Sequence, residues 1–266
     1  MSNLYGYFFM SKKNIRNIIV LGITALSVIV GGTFYTNGFE QLTIGQTEIT
    51  SFSKAKRVSA QVHATLPQET FYCGCDYNVT NKSTGSGKTD LSSCGYNPRK
   101  NRTRANRIEW EHVFPASRIG KNLSCWSEGN EICDKPGREC CEKVNEAFEF
   151  AISDLNNLVP AIGEVNGDRS NLSFGEIPGE KSNYGQCDFE LDRAKDIVEP
   201  KDDVKGNIAR IYFYMSDTYS LPLTENEVKM FEEWNRQDKP DKDELERNTR
   251  IRNFQGLGNS YVTNTY

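Results

Sequence analysis

Glu111 and His112 stand side by side in the stretch Arg107-Ile108-Glu109-Trp110-Glu111-His112-Val113-Phe114-Pro115-Ala116. An imidazole can take a proton near neutral pH, and a carboxylate is a hard oxygen donor suited to a hard cation. The pair therefore points to a hydrolytic centre in which one residue activates water and the other holds an ion. The competing reading is a half-buried strand end carrying two solvated polar residues, because isolated titratable side chains mark sites only statistically. The other histidine, His63, lies apart from any second cluster of ligand types, so a packing or surface role is expected for it.

Three further segments carry groups that suit the same chemistry. Arg99, Lys100, Arg102, Arg104 and Arg107 crowd into the residues just before the pair. The formal net charge of −4 argues against nucleic-acid binding driven by overall charge, yet backbone phosphates need only a local basic surface. Phosphates bound there would pass beside His112; a solvated basic loop is the alternative. Arg138 stands in Pro136-Gly137-Arg138-Glu139-Cys140-Cys141. Adjacent cysteines rarely pair with each other, so these two are expected to tie the loop to two different places and hold Arg138 firmly enough to face a phosphate. Finally, Gly163-Glu164-Val165-Asn166-Gly167-Asp168-Arg169-Ser170-Asn171 reads as a polar surface turn. As part of a site it would supply Asn166 or Asp168 as a second oxygen ligand and Arg169 toward a phosphate. Gly85-Ser86-Gly87-Lys88-Thr89 is set aside as a nucleotide loop, because Lys82 stands where that motif needs its first glycine and no apolar strand leads into it.

The elements that must position these groups are partly legible. At 266 residues the chain can bury a sizeable core as one large domain or two small ones. Val144, Ala147, Phe148, Ala151, Ile152 and Leu155 recur at helical spacing and predict a helix from Cys141 to about Asn156, stopped before Pro160. Val204, Ile208, Ile211, Tyr212 and Met215 predict another. Thr224-x-x-Glu227 is a capping box opening a helix through Trp234, and Asp241-x-x-Glu244 opens a last one. These carboxy-terminal helices read as scaffold. Successive side chains of a regular strand face opposite ways, so strand geometry is expected to break at Glu111-His112 if both serve one centre.

Lys12, Lys13 and Arg16 precede an apolar run from Ile18 to Val30, with Met10 as an alternative start. Residues 1–35 are read as a signal peptide or an uncleaved anchor, since the run falls short of the ~20 residues of a comfortable span. Residues 36–65 are polar and irregular and read as a linker or tail, with the remaining domain at 66–266. Export decides the chemistry of Cys73, Cys75, Cys94, Cys125, Cys133, Cys140, Cys141 and Cys187: an even count in an oxidising compartment reads as disulfides before zinc, with the pairing left open.

Phe71-Tyr72-Cys73-Gly74-Cys75, the stretch from Arg107 to Ala116, Gly137-Arg138 with its cysteines, Asn157-Leu158-Val159-Pro160, the run from Gly163 to Arg169, and Ile208-Ala209-Arg210-Ile211-Tyr212-Phe213-Tyr214-Met215 share one further property. Together they resemble, in order, the bacterial endonuclease I family of periplasmic and secreted non-specific nucleases, over roughly residues 66 to 262. The resemblance implies a mixed α+β single domain with a ββα-metal core, a helical carboxy-terminal part and disulfides. It also implies cleavage of DNA, and of RNA, with little sequence preference. Matched residue by residue, Glu111 would be a metal ligand, His112 the general base, Asn166 the second protein ligand and Arg138 a contact to the scissile phosphate. The implied ion is Mg²⁺, with Ca²⁺ or Mn²⁺ as alternatives. Two departures stand out: Asn156 occupies a position where relatives commonly carry histidine, and the carboxy-terminal cysteines of some members are missing. These bear on local loop support and on carboxy-terminal anchoring.

The expectation is thus an exported, periplasmic or secreted, metal-dependent endonuclease. Its partners are nucleic-acid substrates, with no stable protein partner implied and a membrane only if the amino-terminal segment stays uncleaved. Two rivals share the sequence features: a zinc hydrolase, which lacks an HExxH-type pair, and a disulfide-stapled module that binds polyanions without catalysis.

Overall fold

Ser51 accepts a hydrogen bond from the Lys54 backbone N–H and so caps α1 (Phe52–His63), which buries Ala55, Val58, Ser59, Ala60, Val62 and His63. Residues 49–179 and 183–263 are described in this computed structural model. The expected signal or anchor and the front of the linker lie outside the described residues. The rear of that linker differs from its sequence reading: residues 52–63 form a helix packed on the domain. Its small residues and interspersed Lys and Arg blur the helical stripe, and the helix is stabilised by tertiary packing more than by propensity.

An antiparallel hairpin follows, β1 (Tyr77–Asn81) and β2 (Ser86–Thr89). The glycine-rich segment is the turn and second strand of this hairpin. Gly85 has φ +69°, and a Cβ there would sit 2.3 Å from the Lys56 carbonyl oxygen, while its own carbonyl accepts the Trp110 indole N–H at 2.8 Å. Close approach, with no phosphate involved, explains that glycine.

After α2 (Arg102–Ala105) comes β3 (Ile108–His112), which pairs antiparallel with β4 (Leu158–Ile162) in unbroken register from Ile108 opposite Ile162 to His112 opposite Leu158. Helix α7 (Gly163–Arg169) follows β4 directly and completes two strands and a helix. Residues 113–157, inserted between the strands, carry α3 (Ala116–Gly120), α4 (Ser124–Ser127), α5 (Arg138–Val144) and α6 (Glu146–Ile152). The single helix expected from Cys141 is therefore two. Asn145 leaves helical geometry at φ −126°, ψ 98°, and its side chain accepts the Phe148 N–H to cap α6. The apolar periodicity runs through this break because both helices face the same core.

A small sheet orders β5 (Ser173–Phe174) beside β7 (Ile197–Pro200) and β7 beside β6 (Phe189–Asp192). The carboxy-terminal scaffold is as the caps predict. Helix α8 (Lys205–Tyr219) buries Ile208, Ile211, Tyr212 and Met215; α9 (Glu225–Gln237) carries both arms of the Thr224–Glu227 capping box; α10 (Lys242–Gln255) is capped by Asp241; and α11 (Ser260–Thr263) closes the described chain. The result is a mixed α+β domain held by four disulfides: Cys73–Cys187, Cys75–Cys94, Cys125–Cys141 and Cys133–Cys140. Cys140 and Cys141 do take different partners, both within the 113–157 insertion. Cys73–Cys187 closes a separation of 114 residues, which in the chain-entropy account contributes roughly 4–5 kcal/mol.

Candidate active site

The ladder runs through Glu111, opposite Val159, and His112, opposite Leu158, and ends there. The break expected at the pair is therefore not within it but immediately after it. Both side chains nevertheless line one cavity of about 740 Å³, together with Arg138 and Asn166. Every residue of β3 from Ile108 to His112 lines this cavity, so the pair shares it without a disturbed register.

His112 is buried, and its Nε2 lies 2.7 Å from the Ile152 carbonyl oxygen at the end of α6. A carbonyl only accepts, so Nε2 carries the hydrogen and Nδ1 keeps its lone pair. The ring rests on Phe52, centroids 4.7 Å apart. Burial, reinforced by the charges of Arg138 and Arg169 and opposed by the hydrogen bond to Ile152, depresses the imidazole pKa to about 3. The imidazole is neutral wherever the protein is folded near neutral pH.

Glu111 is equally buried, and that burial pulls its carboxyl up to about 7 against the opposing charge of Arg169 and the hydrogen bond from Tyr72. Tyr72 Oη donates to Oε1 at 3.3 Å and Arg169 Nη1 to the same oxygen at 3.2 Å. Arg169 is wholly buried. It also donates to the His112 carbonyl at 3.0 Å and the Val113 carbonyl at 2.6 Å, and it lies over the Phe174 ring. The phosphate-facing role considered for Arg169 is thus corrected: it clamps the end of β3 from within.

The segment read as a surface turn is α7. Apart from the buried Val165 it is polar, because it buries charge with partners. Glu164 accepts the backbone N–H groups of Arg99 at 3.0 Å, Lys100 at 2.6 Å and Asn101, as well as the Tyr96 hydroxyl at 2.8 Å. Asp168 pairs with Arg99 at 2.7 Å and Arg193 at 3.0 Å, and accepts from Tyr184. Gly163 and Gly167 are needed for contact: a Cβ would come within 2.5 Å of the Arg104 carbonyl oxygen and 2.0 Å of Arg104 Nη1. Asn166, one turn before Arg169, reaches the cavity, and its side-chain amide makes no hydrogen bond among the described residues.

The basic segment divides. Arg104 and Arg107 line the cavity, each 2.7 Å from a Glu109 oxygen. Arg99 is held on Asp168, while Lys100 and Arg102 are exposed, unpaired among the described residues and not part of the cavity wall. Arg138 opens α5 beside the two disulfides, 2.7 Å from Glu142, with its guanidinium 4.8 Å from the Phe52 ring centre. His63 has the packing role expected, buried against Trp110 at 5.5 Å. Sequence reasoning missed Phe52 and Lys56, which line the cavity from α1. The 3–4 spacing of Phe52, Ala55, Ser59 and Val62 is the signal that could have found that helix.

A family model for Endonuclease I matches residues 47–266. The chain belongs to the Endonuclease I family. It is therefore a nuclease, and the match begins before α1, taking that helix into the family's domain. It is 43% identical to Endonuclease-1 of Buchnera aphidicola subsp. Acyrthosiphon pisum (strain APS), over 80% of this chain and 81% of that protein. A periplasmic deoxyribonuclease of Aeromonas hydrophila is 43% identical over 81% of this chain and 86% of its own length. An extracellular deoxyribonuclease of the same organism is 43% identical over 80% and 95%. Four disulfides are the cysteine chemistry of an exported member, periplasmic or secreted. Among the described residues no helix is long and apolar enough to cross a membrane.

Proposed function

We propose that this nuclease hydrolyses phosphodiester bonds of DNA, and of RNA, without sequence preference, using His112 as general base and a hard divalent ion, Mg²⁺ first, on Glu111 and Asn166. The observation that carries the reading is the convergence of Glu111, His112, Asn166 and Arg138 on one cavity. The donors suit such an ion. One carboxylate and one unbonded amide oxygen are hard ligands, and no trio of His, Cys, Asp or Glu that could hold a metal occurs among the described residues. Two protein oxygens with water in the other positions is the usual arrangement for Mg²⁺. All eight cysteines are in disulfides, so a thiolate zinc site has no thiolates to use.

His112 Nδ1 takes the proton of the attacking water, its direction set by the Nε2 hydrogen bond to Ile152. An incoming phosphodiester brings negative charge against Arg138 and so lifts the depression that Arg138 imposes on the imidazole. Arg138 trades its half-exposed pair with Glu142, of little worth in solvent, for charge-assisted hydrogen bonds to the phosphate. Glu111 and Asn166 would hold the divalent ion, which would supply Lewis-acid stabilisation of developing negative charge.

Plasmid nicking that stops in EDTA and returns with Mg²⁺ is the expected outcome; cleavage persisting in EDTA overturns the metal assignment, and no cleavage with any ion favours the polyanion-binding module. Parallel incubation with RNA tests that substrate. Because the Glu111 proton competes with the ion up to about pH 7, apparent Mg²⁺ affinity by titration calorimetry is expected to rise about tenfold per pH unit below that value and to level off above it. A flat profile between pH 5 and 7 means that Glu111 holds no proton against the ion in that range, and Glu111→Gln with unchanged Mg²⁺ affinity removes it as ligand.

Affinity for DNA is expected to be salt-dependent. Lys100 and Arg102 are the segment's unpaired cations, so removing both should lower the log–log salt slope by about 1.8, whereas Arg99→Ala should leave the slope alone. Equal slopes for wild type and the double variant would discard Lys100 and Arg102 as phosphate contacts.

A further inference from the structure

Phe52 contacts both His112 and Arg138. Its ring centroid lies 4.7 Å from that of His112, and the Arg138 guanidinium carbon lies 4.8 Å from the ring centre. Lys56, one turn further along α1, places its ammonium 4.9 Å from the same ring. All four side chains line the same cavity. No other residue of the cavity is in ring or cation contact with both His112 and Arg138 among the described residues.

His112 has one tether, the hydrogen bond from Nε2 to Ile152, which fixes an axis but leaves the imidazole free to swing about it unless something packs on its face. Arg138 has a carboxylate partner on its own helix, Glu142, that holds it back from a substrate instead of presenting it. An aromatic ring solves both at once. Its face offers dispersion contact to the imidazole and quadrupole attraction to the guanidinium without consuming any N–H group needed for phosphate. A polar side chain could hold either residue only by taking up its hydrogen bonds.

We propose that Phe52 is a positioning residue for phosphodiester hydrolysis: it braces the His112 imidazole and the Arg138 guanidinium against each other across the cleft, so that base and phosphate contact are set by one side chain of α1. The inference rests on the roles proposed above for His112 and Arg138. It adds that α1, which supplies no hydrogen-bonding group to either residue, is part of the active site through a ring.

The test uses the full chain with Phe52→Leu, which keeps apolar volume and loses the ring, and Phe52→Tyr, which keeps the ring. Steady-state kinetics on a defined duplex, with circular dichroism melts to normalise for folded protein, are expected to show kcat lowered roughly 10- to 100-fold for the leucine variant, the range that a misplacement on the order of 1 Å can produce. The tyrosine variant should stay within about threefold of wild type, because the cation–ring attraction survives the added hydroxyl. A cycle with Arg138→Ala separates positioning from general support. If Phe52 acts through Arg138, the double variant loses at least about threefold less than the product of the single losses. Losses that multiply, or a leucine variant with wild-type kcat, overturn the proposal. If Arg138→Ala and His112→Ala themselves leave kcat intact, the underlying active-site reading fails instead, and that result is distinct from failure of the brace.

Discussion

His112→Ala is expected to lower kcat for plasmid nicking by roughly 10²- to 10⁴-fold, the range of a lost general base, with DNA affinity close to that of the wild type. The binding half of this expectation follows from where His112 sits. It is buried at the floor of the cleft, neutral, with its one donor used on Ile152. On the proposed roles the phosphate-facing charge belongs to Arg138 and the exposed cations, so truncating the imidazole removes proton transfer while leaving electrostatic attraction in place. Removing a ring from the end of β3 also opens a void beside Phe52, and a melt should show a loss of about 2–4 kcal/mol, small enough for the fold to persist. His112→Gln is the cleaner variant, since its Nε2 amide can still donate to the Ile152 carbonyl that His112 Nε2 bonds but offers no basic nitrogen. A glutamine protein retaining more than about a tenth of wild-type kcat would end the general-base assignment.

Arg169→Met should be the most destabilising single change near the site, by about 3–5 kcal/mol, because it strands a buried carboxylate. Both partners are almost without solvent contact, and Arg169 satisfies two backbone carbonyls besides Glu111. For a domain of this size such a loss lowers Tm by roughly 6–20 °C. The variant should also show a steeper loss of stability with rising pH than the wild type. With its counter-charge gone, Glu111 escapes the burial penalty by taking up a proton, so the deficit relative to wild type should shrink as pH falls from 8 toward 5. An unchanged Tm difference across that range would mean that the lost carbonyl hydrogen bonds, and not the carboxylate, carry the cost. Arg169→Lys is expected to recover little, because one ammonium cannot span the fork from Oε1 to the Val113 carbonyl.

The two predictions separate what the sequence could and could not reveal. That Glu111, His112, Arg138 and Asn166 belong together was legible to the extent that all four line one cavity, because each is a chemically distinctive residue type in a segment that resembles a known family. The carboxy-terminal helices were legible because Thr224, Glu227 and Asp241 announce their starts by local chemistry. What stayed hidden depends on partners far along the chain. Arg169 looks like a surface cation until Glu111 and two carbonyls, more than fifty residues away, enclose it. Glu164 looks solvated until the backbone of 99–101 folds onto it. Asn145 divides a helix whose apolar period continues unbroken through it, so periodicity alone could not reveal the cap. Helix α1 escaped notice because its buried residues are mostly small, and its place is set by packing.

The hydrogen bond from His112 to Ile152 carries one more implication. The acceptor is main-chain, and every residue type presents the same carbonyl. No single substitution can delete the group that holds this tautomer; only a displacement of the turn after α6 can. In enzymes that orient a histidine with a carboxylate side chain, one codon change abolishes the orienting group, and selection must guard that codon. Here the safeguard is spread over the packing of the whole insertion, so the orientation of His112 is robust to point mutation at the orienting position and vulnerable instead to insertions and deletions between α6 and β4.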